Sequence, residues 1–349
     1  MKQRKTEISF LNVLFCILVL YIHCTSEGVT LLPRENISHT ILYAAWSLST
    51  FVVQGFIFLS ALKHFLKEDT VSYPKFLLSK LKTIFLPYTI WCVVYYLSFV
   101  AVGVYTFDLT ELIKGIFIGN ISAPFYYIIA LMQFFLLFPL WKKIFRKDNI
   151  IIVLPVTIVI STLFTEGLPV VLNIFFPNHP FLYNDRIFTT YLAYWALGCY
   201  AGLYYQDFKA ILLKYKGFIC TVFILSAVGN VCLPYIAEKY GYSMFFLSDM
   251  KILYSIASIL FTYMIALVVK DGKLANSKLL NAIDRSSYTI YLCHFLVLFA
   301  VDSVIRMSSL EGMHLKATLI RLITVIPISI TYSILQKAIS DKIKRIKSK

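Results

Sequence analysis

Apolar stretches of roughly 18–22 residues recur along the whole chain, each long enough to cross a hydrocarbon core ~30 Å thick as a helix. Lipid offers the backbone no hydrogen-bond partners, so a spanning segment is either a helix or a strand of a closed barrel. These runs are continuously apolar and do not alternate, which argues against a barrel. Composition agrees. The chain is 59% hydrophobic and 15% charged, where a soluble domain carries about 25% charged residues. It reads as an all-α integral membrane protein of about ten transmembrane helices in one domain over 1–349. The expected spans are about 8–24, 41–62, 83–104, 124–141, 149–165, 187–205, 217–236, 250–269, 286–305 and 317–337. Met1–Phe15 runs straight into the first span with no small-residue cleavage site, so no signal peptide is expected.

A net charge of +15 invites a nucleic-acid partner, but its distribution argues otherwise. Most of the 33 Lys and Arg fall in alternate connections. Lys2, Arg4 and Lys5 precede the first span. Lys63, Lys67, Lys75, Lys80 and Lys82 follow the second, and Lys142, Lys143, Arg146 and Lys147 follow the fourth. Lys209, Lys214 and Lys216, then Lys270, Lys273, Lys278 and Arg285, continue the series to a basic tail. This is the positive-inside pattern. It predicts that both termini are cytoplasmic. The expected partner is the lipid bilayer, with no nucleic acid. The seven cysteines show no metal-ligand spacing and read as small packing residues, so no metal is expected.

Polar residues inside apolar spans carry the functional signal, because an ionisable side chain is costly there. In FLNVLFCILVLYIH, Asn12 and His23 are eleven residues apart. At about 100° and 1.5 Å per residue they share a face, roughly 16 Å apart, with Cys16 and Val19 between them. His23 reads either as an interfacial, solvated side chain or as part of a site. Gln54 sits beside Gly55 in FVVQGFIFLSALK, where interhelical hydrogen bonding is the simpler reading. Lys80 and Lys82 precede Pro87-Tyr88, and the proline is expected to kink its helix. Tyr126 and Tyr127 fit an interfacial aromatic belt or a sugar site. In RSSYTIYLCHFLVLFAVDSVIR, the residues Ser287, Tyr291, His294, Leu298 and Asp302 fall on one side of a helix, with Arg306 placed to pair with Asp302. His294 reads as a structural histidine or as a site residue. The segment 166–186, with three prolines and several aromatics, reads as an outer loop that folds back into the membrane or forms a lid. No Gly-rich phosphate loop, GxSxG motif or metal-ligand cluster is present, and the two halves show no repeat.

Taken in order, these segments resemble the membrane-bound acyltransferase family 3, bacterial enzymes that O-acylate polysaccharides and other glycans. FLNVLFCILVLYIH is similar to the family's first span, which ends in its hallmark histidine. FVVQGFIFLSALK resembles the second-span F-x-x-S-G-F region. KLKTIFLPY resembles the basic stretch before Pro-Tyr. FYYIIALMQFFLLFPL, LAYWALGCYAG and SSYTIYLCHFLV resemble three later motifs, including a Gly-spaced segment and S-Y-x-I-Y-L-x-H. The family's usual pattern is Arg, ten residues, then His, and here the first of these positions is Asn12.

The resemblance implies a stand-alone enzyme of the bacterial cytoplasmic membrane. It would transfer an acyl group, with acetyl expected, from cytoplasmic acyl-CoA to a hydroxyl of a cell-surface or cell-wall glycan. Acyl-CoA is then a donor substrate, no cofactor is permanently bound, and other glycan-synthesis membrane proteins are candidate partners. His23 would act as general base or transient acyl carrier, with His294 and Asn12 as the other catalytic candidates. Gln54, Tyr126, Tyr127, Tyr291 and Ser287 would line the substrate path. Lys75, Lys80, Lys82 and Arg285 would hold the anionic end of the donor. Two alternatives are a transporter of a glycan or lipid-linked sugar that consumes no acyl-CoA, and a scaffold in which catalysis was lost with the arginine.

Overall fold

The computed structural model describes residues 5–67, 71–177, 181–241, 247–308 and 310–347. Lys2 and Arg4 of the expected basic N-terminus lie outside the described residues. Every regular element among the described residues is a helix. Eight helices are long and apolar enough to cross a membrane, or nine if the bent pair Leu109–Ile118 and Ala123–Leu136 is one span.

Two expected spans differ from this. The segment expected at 124–141 ends at Leu136, and its apolar partner is the upstream helix Leu109–Ile118, bent 50° away. Residues Phe138–Ile144, with Pro139 in the first turn, form a separate short helix. The segment expected at 187–205 contains a helix of only 12 residues, Leu192–Leu203. At 1.5 Å per residue that is about 18 Å, too short for the hydrocarbon core. Its apolar residues instead face protein: Ala193, Trp195, Ala196 and Cys199 are fully buried. The segment 166–186 also departs from an outer loop. Helix continues from Ile150 through Phe175, so that Ile150–Phe175 is one of the eight candidate spans. Residues 178–180 of that segment lie outside the described residues.

Proline accounts for two local departures from α geometry. Pro87 lies two residues beyond the π-helical turn Leu81–Phe85, and Pro169 lies two beyond Leu163–Gly167. A proline removes one backbone donor and crowds the preceding turn. A wider π turn absorbs that misfit, and the chain continues helically on both sides.

The chain divides into two compact units, Met1–Val53 with Ile211–Lys349, and Gln54–Ala210. In the first unit the helix Thr6–Leu31 is the hub. It packs against Ile37–Ser49, Leu247–Val269, Lys278–Arg306 and His314–Lys347. Its most apolar window is 61% buried, against 17% for that of Lys216–Ala237, so this helix faces protein where the other is open to lipid. Gly28 permits a close approach to the last helix, because a Cβ there would overlap Thr318 Oγ1. One buried polar pair in this unit is clasped from both sides. Asn230 Nδ2 donates to the Ser47 carbonyl and to Ser47 Oγ, each at 3.0 Å, and Ser47 Oγ donates to the Asn230 carbonyl at 3.2 Å. The helix break after Ser49 frees backbone carbonyls, and Tyr254 donates its hydroxyl to the Leu48 carbonyl at 2.6 Å.

In the second unit, Gly198 and Gly202 set the packing of the short helix Leu192–Leu203. A Cβ on Gly198 would overlap the Phe58 carbonyl oxygen, and one on Gly202 would come within 2.9 Å of the Leu62 carbonyl oxygen. Small residues four apart let two helix backbones touch. Trp195 stacks on Phe134 with ring centroids 4.4 Å apart. Gln133 secures the approach to this helix. Its Nε2 donates to the Arg186 carbonyl at 2.6 Å, and its Oε1 accepts from Phe188 N at 3.1 Å.

Candidate functional site

The polar stripe on Thr6–Leu31 meets a second polar stripe on Lys278–Arg306. Toward the N-terminal ends of the two helices, Asn12 Nδ2 donates to Asp284 Oδ1 at 2.7 Å and to Ser287 Oγ at 3.0 Å. Ser287 Oγ in turn donates to the Asp284 carbonyl at 2.9 Å. Asn12 and Asp284 are both buried, at 6% and 2% exposure, so a charge or a donor here has little access to water.

Eleven residues along from Asn12, the His23 ring lies 5.2 Å from the His294 ring, tilted by 44°. Phe295 meets His23 edge-on at 5.5 Å. His294 is fully buried. Its Nδ1 lies 2.7 Å from the Tyr291 carbonyl and 3.2 Å from the Ile290 carbonyl. A carbonyl only accepts, so Nδ1 carries a proton. In the neutral ring the lone pair is therefore on Nε2, and that atom has no hydrogen-bond partner. A buried base with its tautomer fixed by a backbone carbonyl and its other nitrogen open is suited to taking or giving a proton. The Tyr291 ring lies 6.2 Å from His294 and stacks on Tyr288 at the same distance.

Beyond the histidine pair lies a charged cluster. Arg321 of the last helix donates through Nε to Asp302 Oδ1 at 2.6 Å and through Nη2 to Glu27 Oε2 at 2.7 Å. Its side chain is 3% exposed. The expected local pairing of Asp302 with Arg306 is thus replaced by a contact between helices. Arg321 bridges the two stripes at this level, since Asp302 belongs to one and Glu27 to the helix that carries the other. His314 Nδ1 stands 3.9 Å from Glu27 Oε1.

The first unit therefore brings together Asn12, Ser287, Tyr291, His23 and His294. Arg285 is exposed, although it neighbours Asp284 in sequence. The remaining residues singled out in the sequence belong to the second unit. Gln54 is half-buried near the start of the helix Val52–Phe65. Tyr126 and Tyr127 are half-buried, and Tyr127 packs 6.2 Å from Phe56. Lys75 and Lys82 are exposed. Lys80 is half-buried, with its ammonium 5.1 Å from the Phe76 centroid and 4.8 Å from that of Phe135. Cation–π contacts of this kind hold Lys80 against the protein surface.

Sequence reasoning missed Asp284, Glu27 and Arg321. Asp284 lies just before the expected start of its span, at 286. Arg321 stands one turn inside the last expected span, and an arginine within an apolar run was itself a signal.

These features define a class: a helical membrane protein with an inward-facing histidine pair and polar side chains at several depths. A family model described as an acyltransferase domain matches residues 6–335, and the chain belongs to the membrane-bound acyltransferase family 3. No curated protein and no solved structure matches it. The protein is a multi-pass membrane acyltransferase.

Proposed function

We propose that this protein moves an acyl group, with acetyl the expected one, from cytoplasmic acyl-CoA to a hydroxyl of a cell-surface or cell-wall glycan. The observation that carries the reading is the juxtaposition of His23 and His294, with an open Nε2 on the latter. In the proposed reaction an imidazole takes the hydroxyl proton as the oxygen attacks the thioester carbonyl. The tetrahedral intermediate then collapses, the carbon–sulfur bond breaks, and the thiolate leaves with that proton. The products are the ester and free CoA. His23, on the less buried side of the pair, is the proposed base. His294 steadies the charge that His23 acquires. Asn12 orders the inner end of the path through Asp284 and Ser287, and Tyr291 lines it beside His294.

For the donor's phosphates the proposal keeps Lys75, Lys80 and Lys82, and separately Arg285. Lys75, Lys82 and Arg285 are exposed and so available to an anion. Gln54, Tyr126 and Tyr127 are kept as substrate contacts. A bacterial cytoplasmic membrane and association with other glycan-synthesis membrane proteins remain part of the proposal. The test uses purified protein in lipid nanodiscs with isotopically labelled acetyl-CoA and a cell-envelope glycan. The expected result is label in an alkali-labile ester together with free CoA. A transporter would leave acetyl-CoA unconsumed, and that outcome would overturn the reading.

A further inference from the structure

The charged cluster beyond the histidine pair has one feature that a purely structural clamp does not need. Nε and Nη2 of Arg321 form one edge of the guanidinium and are bound to Asp302 and Glu27. Nη1 lies on the other edge. It is buried and has no hydrogen-bond partner. Leaving a charged donor unpaired in a buried setting is costly. The two carboxylates that fix the guanidinium are more open than the arginine itself. Glu27 is 37% and Asp302 is 20% exposed, against 3% for Arg321.

Position ties the cluster to the reacting pair. Glu27 is four residues beyond His23 on the same helix face, one turn or about 6 Å along. Asp302 is seven residues beyond Phe295, again on one face, and Phe295 packs against His23. The charges facing the cluster are Arg321, Glu27, Asp302, His314 beside Glu27, and Arg306 one turn beyond Asp302. The permanently charged groups balance, two guanidiniums against two carboxylates, so they leave no surplus with which to draw a polyanion. What the cluster offers is hydrogen bonding of both kinds: an N–H donor on one edge of the guanidinium and partly exposed carboxylate oxygens on the other. An uncharged polyhydroxyl group, which both donates and accepts at every hydroxyl, matches that array.

We propose that Glu27, Asp302 and Arg321 form an acceptor subsite for an uncharged sugar, with Arg321 Nη1 donating to a sugar oxygen and the carboxylates accepting from its hydroxyls. The inference rests on the acyl-transfer reading only for what the bound hydroxyl then does at His23. Its test is calorimetric binding of maltotriose and chitotriose, against trigalacturonate, to the full chain in nanodiscs. At least one neutral trisaccharide binds in preference to trigalacturonate. Arg321→Lys, which keeps the charge but loses the fork, weakens that binding about tenfold or more. Asp302→Asn weakens it in the same direction. It keeps the Arg321–Glu27 pair, so it carries the test if Arg321→Lys fails to accumulate. Equal or tighter binding of trigalacturonate, no binding of either neutral sugar, or binding indifferent to folded variants overturns the subsite. Acetyl transfer is read on the same samples. Binding without transfer keeps the subsite and removes the transfer reading, whereas transfer that ignores both substitutions removes the subsite alone.

Discussion

Asn12 is the residue at which this chain departs from the family's usual Arg, and its surroundings show what the position does. Its amide nitrogen spans Asp284 and Ser287 at hydrogen-bond distance. A donor is required there because the carboxylate is buried. Asn12→Leu removes that donor and is expected to cost about 1–3 kcal/mol, read by denaturant or thermal unfolding of the reconstituted protein. Asn12→Arg is expected to keep or raise stability, since Asp284 offers an arginine a charge-assisted partner. Lower stability for Asn12→Arg than for Asn12→Leu would contradict this account. At His294 the substitution of choice is Asn, which preserves a donor for the Tyr291 carbonyl while removing Nε2. The expected outcome is normal accumulation with transfer reduced by about 10²-fold or more. Undiminished transfer would limit His294 to a structural role. Both histidines were legible in the sequence because an imidazole in an apolar run stands out. Asp284 was not legible as Asn12's partner. The two lie 272 residues apart, and only the packing of their helices decides which side chain opposes which.

At the scale of elements, long continuous apolar runs were read well and short ones poorly. Hydropathy reports how apolar a segment is, but not whether protein or lipid surrounds it. The helix Leu192–Leu203 is as apolar as a span, yet it is enclosed by its own unit, and its boundaries follow local breaks that hydropathy does not register. The Gly-spaced motif in this helix was legible as a pattern, whereas its purpose needed the neighbouring backbone. Gly198→Ala is expected to destabilise the protein by about 1–3 kcal/mol, because its Cβ meets the Phe58 carbonyl. Gly217→Ala is the matched control in another helix. Its Cβ meets nothing within 4 Å, so it should be neutral or slightly stabilising through helix propensity. Thermal inactivation of the two variants side by side separates a packing cost from a general glycine effect. Equal midpoints would refute the packing argument.

For the whole molecule, composition was enough to give a helical membrane protein, and the ordered motifs were enough to give its family. The division into two units was not visible, because no linker or composition shift marks the boundaries at Val53 and Ala210. The basic connections predict an orientation with a cytoplasmic C-terminus. A C-terminal green fluorescent protein fusion should fluoresce, and an alkaline phosphatase fusion at the same point should be inactive. An active phosphatase would invert the proposed approach of donor and acceptor. The central claim is narrower: His23 of the first helix handles the proton during acyl transfer. The direct measurement is transfer of labelled acetyl from acetyl-CoA to glycan by membranes holding equal amounts of wild type or His23→Ala. The account predicts a loss of about 10²- to 10⁴-fold, the usual contribution of a general base. Near-normal transfer by His23→Ala at matched protein levels would contradict it.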